Sequence, residues 1–296
     1  MGLDLYRAST AARGVFDTAD RVLGYALSAV CFEGPEERLR DTEQAQPAIL
    51  TTSLACLAAA VESGSIRERP AFMAGHSLGE YTALVAAGAL SLEDGLMLVR
   101  ERARLMAVAG AQNQGTLAAI IGLDAAAVRA ICEETDSDVC NLNLSNQTVI
   151  GGTRAAVERA IALAKERGAT LARELNVSGA FHSRLMQPAV PGLVDAVAKV
   201  EISAPVVPVV GNASALALRS ADDVRSELGT QIASPVRWYE SVTLMAASGV
   251  TSFIEIGPGK VLTGLVKRIV PGASLLNISG LAEATGAPRS AAKTTA

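Results

Sequence analysis

The sequence is poor in aromatic and charged residues, which make up 3% and 19% of its 296 residues. Half of the residues are hydrophobic, so the low charge excludes a disordered chain and predicts a compact core filled by aliphatic side chains. The net charge of −4 and the lack of any Lys/Arg run exclude the positive field of a nucleic-acid-binding protein. We therefore predict a globular chain with no nucleic-acid partner.

Cysteine and histidine are also scarce, with four and two residues. The cysteines are scattered, form no C-x-x-C pair and have no neighbouring histidine, which favours reduced thiols over disulfides or a metal site. The N-terminus carries an early acid, Asp4, instead of the apolar segment of a signal peptide. Every long apolar stretch is interrupted by Gly, Arg or Glu, so none is expected to span a membrane. These absences predict a cytoplasmic protein without metal or membrane association.

The order of apolar patterns predicts an α/β fold with two domains. Helical periodicity covers 11–29 and 48–63, with Pro47 in the first turn of the second helix. A β-α-β-β-α-β order follows over 117–177, which is the ferredoxin-like arrangement. We predict an α/β-hydrolase-like large domain with a parallel sheet over 1–108 and 179–280, interrupted by a small ferredoxin-like α+β domain over 109–178. The tail 281–296, rich in Ala, Thr and Ser, is predicted to be disordered.

Residues 75–79 read G-H-S-L-G and fit the G-x-S-x-G nucleophile elbow. An apolar run at 71–74 precedes them and a helical pattern follows from Glu80, so Ser77 is predicted to lie on a strained strand-to-helix turn with its hydroxyl exposed. The glycines would let strand and helix approach closely. The N-terminus of the helix would point at the reacting carbonyl, so the Leu78 backbone N–H is predicted to stabilise an oxyanion. The alternative is a chance match of a short pattern.

A serine needs a base to act as a nucleophile. His76 adjoins Ser77 on a tight turn, where adjacent side chains diverge, so His182 is the predicted base by elimination. A core or surface histidine is the alternative for His182. No aspartate occupies a recognisable triad position, and a backbone carbonyl could orient the imidazole equally well.

Read beyond the elbow, the sequence resembles the malonyl-CoA:acyl carrier protein transacylases and the acyltransferase domains of fatty acid and polyketide synthases. The resemblance covers nearly the whole chain. It rests on ordered matches at 44–48 (QAQPA), 75–84 (GHSLGEYTAL), 115–120 (GTLAAI), 141–147 (NLNLSNQ), 179–183 (GAFHS), 234–238 (SPVRW) and 255–262 (EIGPGKVL).

The resemblance implies a ping-pong reaction without a cofactor, in which coenzyme A thioester is a substrate and Ser77 carries the malonyl group to the phosphopantetheine thiol of a carrier protein. It implies that His182 is the base, that the backbone carbonyl of Gln231 orients it, and that Arg102 binds the substrate carboxylate. A planar guanidinium grips a carboxylate bidentately, although a solvated helix face is the alternative for Arg102.

Further roles implied by the resemblance are less direct. Phe181 matches the malonyl type of pattern rather than the methylmalonyl type, and Asn143 would steady the site from the small domain. Malonyl-CoA and an acyl carrier protein are the expected partners of a monomeric enzyme.

One departure from the family pattern concerns the start of the chain. The family opens with a buried strand and a Gly-Gln-Gly-Ser-Gln loop that supplies a second oxyanion donor, whereas this sequence begins after that loop. Losing one such donor costs about a hundred- to a thousandfold in rate. A mis-assigned start codon or a truncated chain is the expected reason. Two other functions stay open: a serine hydrolase or thioesterase that uses the same dyad with water as acceptor, and, owing to the missing loop, a catalytically impaired homologue that binds the carrier protein.

Overall fold

The computed structural model describes residues 1–177 and 179–286. Its helices are α1 (Leu3–Ala8), α2 (Thr10–Leu23), α3 (Leu27–Glu33), α4 (Glu36–Arg40), α5 (Thr42–Glu62), α6 (Leu78–Ala86), α7 (Leu92–Gln112), α8 (Ala125–Thr135), α9 (Arg154–Glu166), α10 (Val190–Val197), α11 (Ala221–Gln231), α12 (Trp238–Ala247), α13 (Val261–Ile269) and α14 (Leu281–Thr285). Its strands are β1 (Met73–Ala74), β2 (Thr116–Ile121), β3 (Asp138–Leu144), β4 (Gln147–Gly152), β5 (Leu171–Glu174), β6 (Val209–Val210), β7 (Ala217–Leu218), β8 (Ser252–Ile256) and β9 (Ser274–Ile278). A 3-10 helix occupies Arg184–Ala189.

Strands β2 to β5 form one antiparallel sheet in the order β3-β4-β2-β5. Helices α8 and α9 cover one face, where Ile120, Ile150, Ile131 and Val157 share a core. The element order and the strand order are those of the ferredoxin-like arrangement, so this part of the predicted fold class is confirmed.

The opposite face of this sheet holds the segment that carries His182. Leu117, Cys140 and Val149 on that face pack against Ala180, two residues before the histidine. Along β3, the Leu142 N–H donates to the Val236 carbonyl and the Val236 N–H donates to the Cys140 carbonyl, both at 2.8 Å. The small sheet is therefore joined by backbone hydrogen bonds to the segment that follows α11.

The remaining strands lie in two sheets instead of the one parallel sheet that the sequence suggests. Strand β1 pairs in parallel with β6, β7 adds an antiparallel strand to β6, and β8 pairs in parallel with β9. Within the described residues, β1 and β8 each have only one neighbouring strand. The strand that carries the elbow is consequently supported by β6 alone on its hydrogen-bonded side.

Two long helices, α5 and α7, pack in the largest hydrophobic cluster together with α2. Helix α5 is long and apolar enough to span a membrane by length and composition, but 67% of its apolar window lies buried inside the fold. It begins at Thr42, capped by the Asp41 side chain, so the predicted placement of Pro47 in the first turn is wrong. The cap moves the start of the helix five residues upstream, and Pro47 lies inside it.

Helix α7 begins after Ser91, whose side chain caps it. The Ser91 hydroxyl accepts a hydrogen bond from the Asp94 N–H at 3.0 Å and donates one to the Asp94 carboxylate at 2.8 Å. This cap satisfies N–H groups that have no partner within the helix. It fixes the register of the helix that carries Arg102.

The tail is ordered further than predicted. Residues Leu281–Thr285 form α14, and the Ala284 carbonyl accepts a hydrogen bond from the Ser63 hydroxyl at 2.6 Å. Ala284 is fully buried in the main hydrophobic cluster. This packing stabilises the helix although the sequence around it is rich in small and polar residues. The rest of the predicted disordered tail lies outside the described residues. The division of the chain at 108 and 178 stays a prediction, and α7 continues past the first of these limits to Gln112.

Candidate active site

Ser77 lies at the apex of a strained strand-to-helix turn. Its φ of 52° and ψ of −106° fall in a region that costs L residues about 1–3 kcal/mol. Ser77 is the residue before α6, a position where serine usually caps the helix, yet its hydroxyl makes no cap. The positive φ therefore leaves the hydroxyl available for chemistry.

Only one of the two motif glycines is required by close packing. A Cβ on Gly75 would lie 2.0 Å from the backbone carbon of Gly79, whereas a Cβ on Gly79 would meet no atom within 4 Å. The expectation that both glycines relieve a clash is corrected in this respect. The close approach is made by the Gly79 backbone, and the missing side chain that permits it is that of Gly75.

The structure brings Ser77 and His182 together across 105 positions of sequence. The Ser77 Oγ lies 2.7 Å from the His182 Nε2. The other ring nitrogen, Nδ1, lies 3.1 Å from the carbonyl oxygens of both Gln231 and Ser234. Because carbonyls only accept hydrogen bonds, the proton resides on Nδ1, and Nε2 presents a lone pair to the serine hydroxyl. Two carbonyls thus fix the tautomer and the orientation of the His182 ring.

His182 is 4% exposed, and its surroundings favour the neutral imidazole. Burial is the largest cause that lowers the pKa of His182 to about 3, followed by the positive charge of Arg102 and then by His76. The hydrogen bonds to the two carbonyls act in the opposite direction. The imidazole is therefore unprotonated at neutral pH, as the predicted role of a base requires.

Arg102 projects from α7 directly onto the nucleophile. Its guanidinium is 1% exposed, and Nη2 donates to the Ser77 Oγ at 2.9 Å and to the Gln231 Oε1 at 3.2 Å. Nη1 donates to the Gln46 Oε1 at 2.5 Å, and the guanidinium lies 5.4 Å from the centre of the Tyr81 ring. Burial lowers the pKa of Arg102, but arginine stays charged in proteins.

This buried cation forms no ion pair with any carboxylate of the described residues, and its Nε has no hydrogen-bond partner there. Neutral amide oxygens and a hydroxyl solvate the charge instead. A site of this kind is incomplete electrostatically and suits a ligand that brings its own carboxylate. The solvated helix face considered for Arg102 does not describe its environment.

Comparisons with known proteins agree with this geometry. The family model "Acyl transferase domain" matches residues 1–287. The chain is 47% identical over 274 residues to the malonyl CoA-acyl carrier protein transacylase of Bacillus subtilis (strain 168), covering 91% of this chain and 86% of that protein.

This chain belongs to the acyl transferase domain family.

Solved structures extend the likeness of this acyltransferase to its whole architecture. The acyl-carrier-protein-S-malonyltransferase from Bartonella henselae aligns with a TM-score of 0.91 at 40% identity, covering 95% of this chain and 91% of that chain. A complex of a type II PKS acyl-carrier protein with its malonyl-transacylase, PlMCAT:AntF, aligns with a TM-score of 0.90 at 40% identity, covering 96% of this chain and 93% of that chain. The resemblance and the fold class predicted from the sequence are confirmed.

Leu78 is the first residue of α6 in this acyltransferase. Its N–H makes no hydrogen bond within the described part of the chain. Such an N–H at the first position of a helix has no acceptor inside the helix. It is also aligned with the positive end of the helix dipole. The structure therefore leaves the predicted oxyanion donor free beside Ser77.

The predicted supporting residues occupy different positions around this centre. The Asn143 Oδ1 lies 2.9 Å from the His76 Nε2, so β3 contacts the elbow through His76 instead of through Ser77. The His76 ring also packs 5.8 Å from the Trp238 ring, and its Nε2 is directed at Asn143 instead of at the Ser77 hydroxyl. Phe181 is half-buried and packs against the main hydrophobic cluster.

Three polar residues of the site escaped sequence analysis: Gln46, Glu80 and Asn212. Gln46 and Glu80 lie inside quoted motifs, but their roles depend on residues far away in sequence. Asn212 follows β6 without any motif of its own. The only local signal is an uncharged polar side chain directly after an apolar strand, which is also typical of an ordinary turn.

A cleft of about 570 Å³ opens beside His182 and is lined by residues of α8, β3 and the segment after α11. It lies between the small sheet and the rest of the acyltransferase. Charges of both signs line it, among them Arg129, Glu133, Asp138 and Arg184. His182 lines this cleft, whereas Ser77 and Arg102 do not.

Among residues 1–177 and 179–286, no group of three or more His, Cys, Asp or Glu side chains is placed to hold a metal ion. All four cysteines are unpaired and buried. The absence of a cofactor stays a prediction.

Proposed function

We propose that this acyltransferase transfers a malonyl group from malonyl-CoA to the phosphopantetheine thiol of an acyl carrier protein. The observation that carries the proposal is the buried, unpaired guanidinium of Arg102 at 2.9 Å from the Ser77 hydroxyl. A malonyl thioester places its free carboxylate two carbon–carbon bonds from the carbonyl that the serine attacks. One bound substrate would therefore meet both groups.

The first half-reaction forms a malonyl ester on Ser77. The Ser77 Oγ attacks the thioester carbonyl while its proton passes to the His182 Nε2, and the developing oxyanion accepts a hydrogen bond from the Leu78 N–H. Collapse of the tetrahedral intermediate breaks the carbon–sulfur bond. The imidazolium then returns its proton to the departing coenzyme A thiolate.

The second half-reaction reverses these roles with a different thiol. The phosphopantetheine thiol gives its proton to the His182 Nε2 and attacks the malonyl ester, again through an oxyanion at the Leu78 N–H. The bond to the Ser77 Oγ breaks, and the imidazolium protonates the serine. The two carbonyls keep the proton on Nδ1 in both half-reactions. The same tautomer therefore suits both, because only Nε2 accepts and returns the transferred proton.

Arg102 supplies the selectivity for a carboxylated acyl group. An acetyl group would leave the guanidinium buried without a counter-ion, and discrimination based on an unsatisfied buried polar group reaches about 10⁴–10⁵. An apolar pocket that selected only by the size of the acyl group would discriminate far less between malonyl and acetyl groups. Phe181 is proposed to disfavour the branched methylmalonyl group, and Asn143 to hold the elbow through His76.

Support for transfer over hydrolysis comes from the relatives. Proteins named malonyl CoA-acyl carrier protein transacylase share 47% and 45% of residues with this chain, and a neighbouring structure holds a carrier protein bound to its transacylase. The expected partners are thus malonyl-CoA and an acyl carrier protein. A cytoplasmic location and a monomeric state stay predictions.

The proposal is tested by mass spectrometry of the intact protein after mixing with malonyl-, methylmalonyl- or acetyl-CoA. We expect one malonyl adduct on Ser77, little adduct from the other two thioesters, and transfer of the malonyl group on adding holo carrier protein. The Ser77→Ala variant is the control and should stay unmodified. Release of free malonate without transfer would favour the hydrolase, and the lack of any adduct would favour the impaired homologue.

A further inference from the structure

Asn212 is fully buried, and its side chain bonds to two backbone groups of the elbow on the N-terminal side of the Ser77 Cα. Its Oδ1 accepts a hydrogen bond from the Ser77 N–H at 2.6 Å, and its Nδ2 donates to the Gly75 carbonyl at 2.8 Å. Only one orientation of the amide satisfies both contacts, because the N–H requires an acceptor and the carbonyl a donor. Asn212 thus holds the two peptide units that flank His76, the second of which leads into Ser77.

The backbone of Asn212 is fixed by neighbours as firmly as its side chain. Its N–H donates to the Glu80 Oε2 at 2.9 Å, and its carbonyl accepts from the Arg237 N–H at 2.9 Å. Glu80 lies on α6, in the first turn after the elbow. The amide is therefore held relative to the helix whose N-terminus faces the reaction.

The strained conformation of Ser77 requires such an external support. Residues with positive φ persist only where the surrounding structure over-determines them. The Ser77 N–H bonds to Asn212, and the Ser77 carbonyl accepts from the Gln231 Nε2 at 2.8 Å. Both peptide units that flank the Ser77 Cα are therefore held by side chains from distant segments.

This arrangement bears on the oxyanion donor. The Ser77 carbonyl and the Leu78 N–H belong to one planar peptide unit, which Gln231 holds directly. Asn212 holds the preceding peptide unit, so the two contacts together fix the Ser77 backbone and the direction of the Leu78 N–H. The Ser77 N–H is already used by Asn212 and does not compete for the oxyanion. The Leu78 N–H is left as the free donor on this side of the turn.

We propose that Asn212 is a positioning residue for catalysis, whose amide holds Ser77 in its strained conformation and thereby directs the Leu78 N–H at the developing oxyanion. The proposal rests on the proposed acyl transfer for its chemical readout. It assigns to Asn212 no contact with the substrate. Its removal should therefore slow acylation of the serine without weakening the recognition of malonyl-CoA.

The decisive variant is Asn212→Asp. A protonated carboxyl reproduces the amide, because its carbonyl oxygen accepts from the Ser77 N–H and its O–H donates to the Gly75 carbonyl. The ionised carboxylate loses the donor and repels that carbonyl. Burial of the introduced carboxyl keeps it neutral to a higher pH than in water.

The readout is the single-turnover rate of malonyl transfer to Ser77, measured by mass spectrometry between pH 5 and 9. We expect the ratio of the Asn212→Asp rate to the wild-type rate to lie near unity at low pH. The ratio should fall about tenfold to a hundredfold as the introduced carboxyl ionises, because displacing a catalytic group by about 1 Å lowers the rate about a hundredfold. The Asn212→Leu variant should be slow at every pH, with the KM for malonyl-CoA changed less than its kcat.

Asn277→Asp is the matched control. The Asn277 Nδ2 also donates to a glycine carbonyl, that of Gly259, at 2.8 Å, but at a different turn. Its rate relative to wild type should not change with pH. Thermal unfolding of each variant identifies any loss of fold, and the pH-dependent ratio of Asn212→Asp stays decisive where Asn212→Leu fails to fold.

A ratio for Asn212→Asp that is constant with pH, or a wild-type acylation rate in folded Asn212→Leu, would overturn the proposal. Failure of the proposed function would look different, since wild-type Ser77 would then not be acylated by malonyl-CoA at all. In that case a fluorophosphonate reagent reports the reactivity of Ser77 directly, and the same pH-dependent ratio is expected.

Discussion

The Nη2 atom of Arg102 donates a hydrogen bond to the Oγ of Ser77 at 2.9 Å, while the same oxygen lies 2.7 Å from the His182 Nε2. The serine oxygen thus accepts from a buried cation as it donates to the base. A substrate carboxylate would draw the guanidinium toward itself and release a lone pair of the nucleophile. In the proposed mechanism, recognition of the carboxylate and activation of the serine therefore both involve the Ser77 Oγ.

Replacement of Arg102 tests this relationship. In Arg102→Ala we expect kcat/KM for malonyl-CoA to fall by about a hundredfold or more, because truncating one partner of a buried charge pair costs about 2–5 kcal/mol. The kcat/KM for acetyl-CoA should fall much less, so the preference for malonyl-CoA over acetyl-CoA should be lost. Arg102→Lys should be intermediate, since an ammonium retains the charge without the planar fork.

The control lies on the same helix. Arg104 pairs with Glu101 at the surface, with an Nη2–Oε1 distance of 2.6 Å. Arg104→Ala should therefore leave kcat/KM unchanged for both malonyl-CoA and acetyl-CoA. Steady-state kinetics with malonyl- and acetyl-CoA measure the ratio. An unchanged ratio in Arg102→Ala would remove Arg102 from substrate selection.

The protonation of His182 can be followed directly, because the chain contains only two histidines. With its pKa lowered to about 3 by burial, Arg102 and His76, His182 should show no titration near the ordinary histidine pKa of about 6.5 in ¹⁵N NMR spectra. Removal of the positive charge in Arg102→Gln should raise the pKa of His182. The pKa of His76, which burial lowers, should stay unchanged and serves as the internal control.

The same shift has a consequence for stability. Between about pH 6.5 and 3, an unfolded chain binds a proton at His182 that the folded protein does not bind, so the free energy of unfolding falls as the pH falls. The contribution is complete above pH 6.5 and decreases below it by up to about 1.4 kcal/mol per pH unit. Urea unfolding at several pH values, compared with that of Arg102→Gln, measures it; a titration of His182 near pH 6.5 would contradict it.

The elbow could be predicted from the sequence because its pattern is local. A strand, a glycine, a serine and a helix start are adjacent in the chain, and their steric requirements fix the conformation of Ser77. Selection of His182 required only that the chain contain two histidines. The small sheet could also be predicted, because its four strands and two helices follow one another within a short stretch and differ in the spacing of their apolar residues.

The polar framework around the dyad could not be predicted in this way. Gln46, Arg102, Asn212 and Gln231 come from four separate helices and turns, and the hydrogen bonds that define their roles exist only after the core of α5 and α7 has formed. The capping of α5 by Asp41 shows the same limit locally. The sequence pattern places Pro47 in the first turn of that helix, whereas the helix begins at Thr42 after the Asp41 cap.

Gln46 provides a further test of the unpaired charge. Its Oε1 accepts from the Arg102 Nη1, so Gln46→Glu would place a carboxylate beside the guanidinium within the protein. We expect the KM for malonyl-CoA to rise at least about tenfold, because the internal carboxylate competes with that of the substrate and a charged hydrogen bond contributes about 1.5–3 kcal/mol. Isothermal titration with malonyl-CoA and the Ser77→Ala background separates binding from turnover.

The neutral variant Gln46→Met is the control for shape at this position. It removes the acceptor without adding charge, so it should affect binding less than Gln46→Glu. Equal KM values for the two variants would show that the position matters through packing alone, and would argue against a carboxylate-binding role for the guanidinium.

Glu80 should make the stability of the enzyme depend on pH in the direction opposite to His182. Glu80 is fully buried, and burial first, then the charge of Glu227, raises the pKa of its carboxyl well above the ordinary value. The folded protein therefore keeps a proton that the unfolded chain loses above about pH 4.3. The free energy of unfolding should fall as the pH rises from there through the raised pKa.

Glu80→Gln should abolish this dependence. Its side-chain carbonyl oxygen can still accept from the N–H of Asn212, which now bonds to the Glu80 Oε2 at 2.9 Å, and it has no proton to lose. The variant should match the wild type near pH 5 and become progressively more stable than it toward pH 9, by up to about 1.4 kcal/mol per pH unit. Urea unfolding across this range measures the difference. A constant difference would mean that the folded protein holds Glu80 ionised, because the N–H of Asn212, the amide of Gln231 and the positive charge of Arg102 would then suffice to stabilise the buried carboxylate.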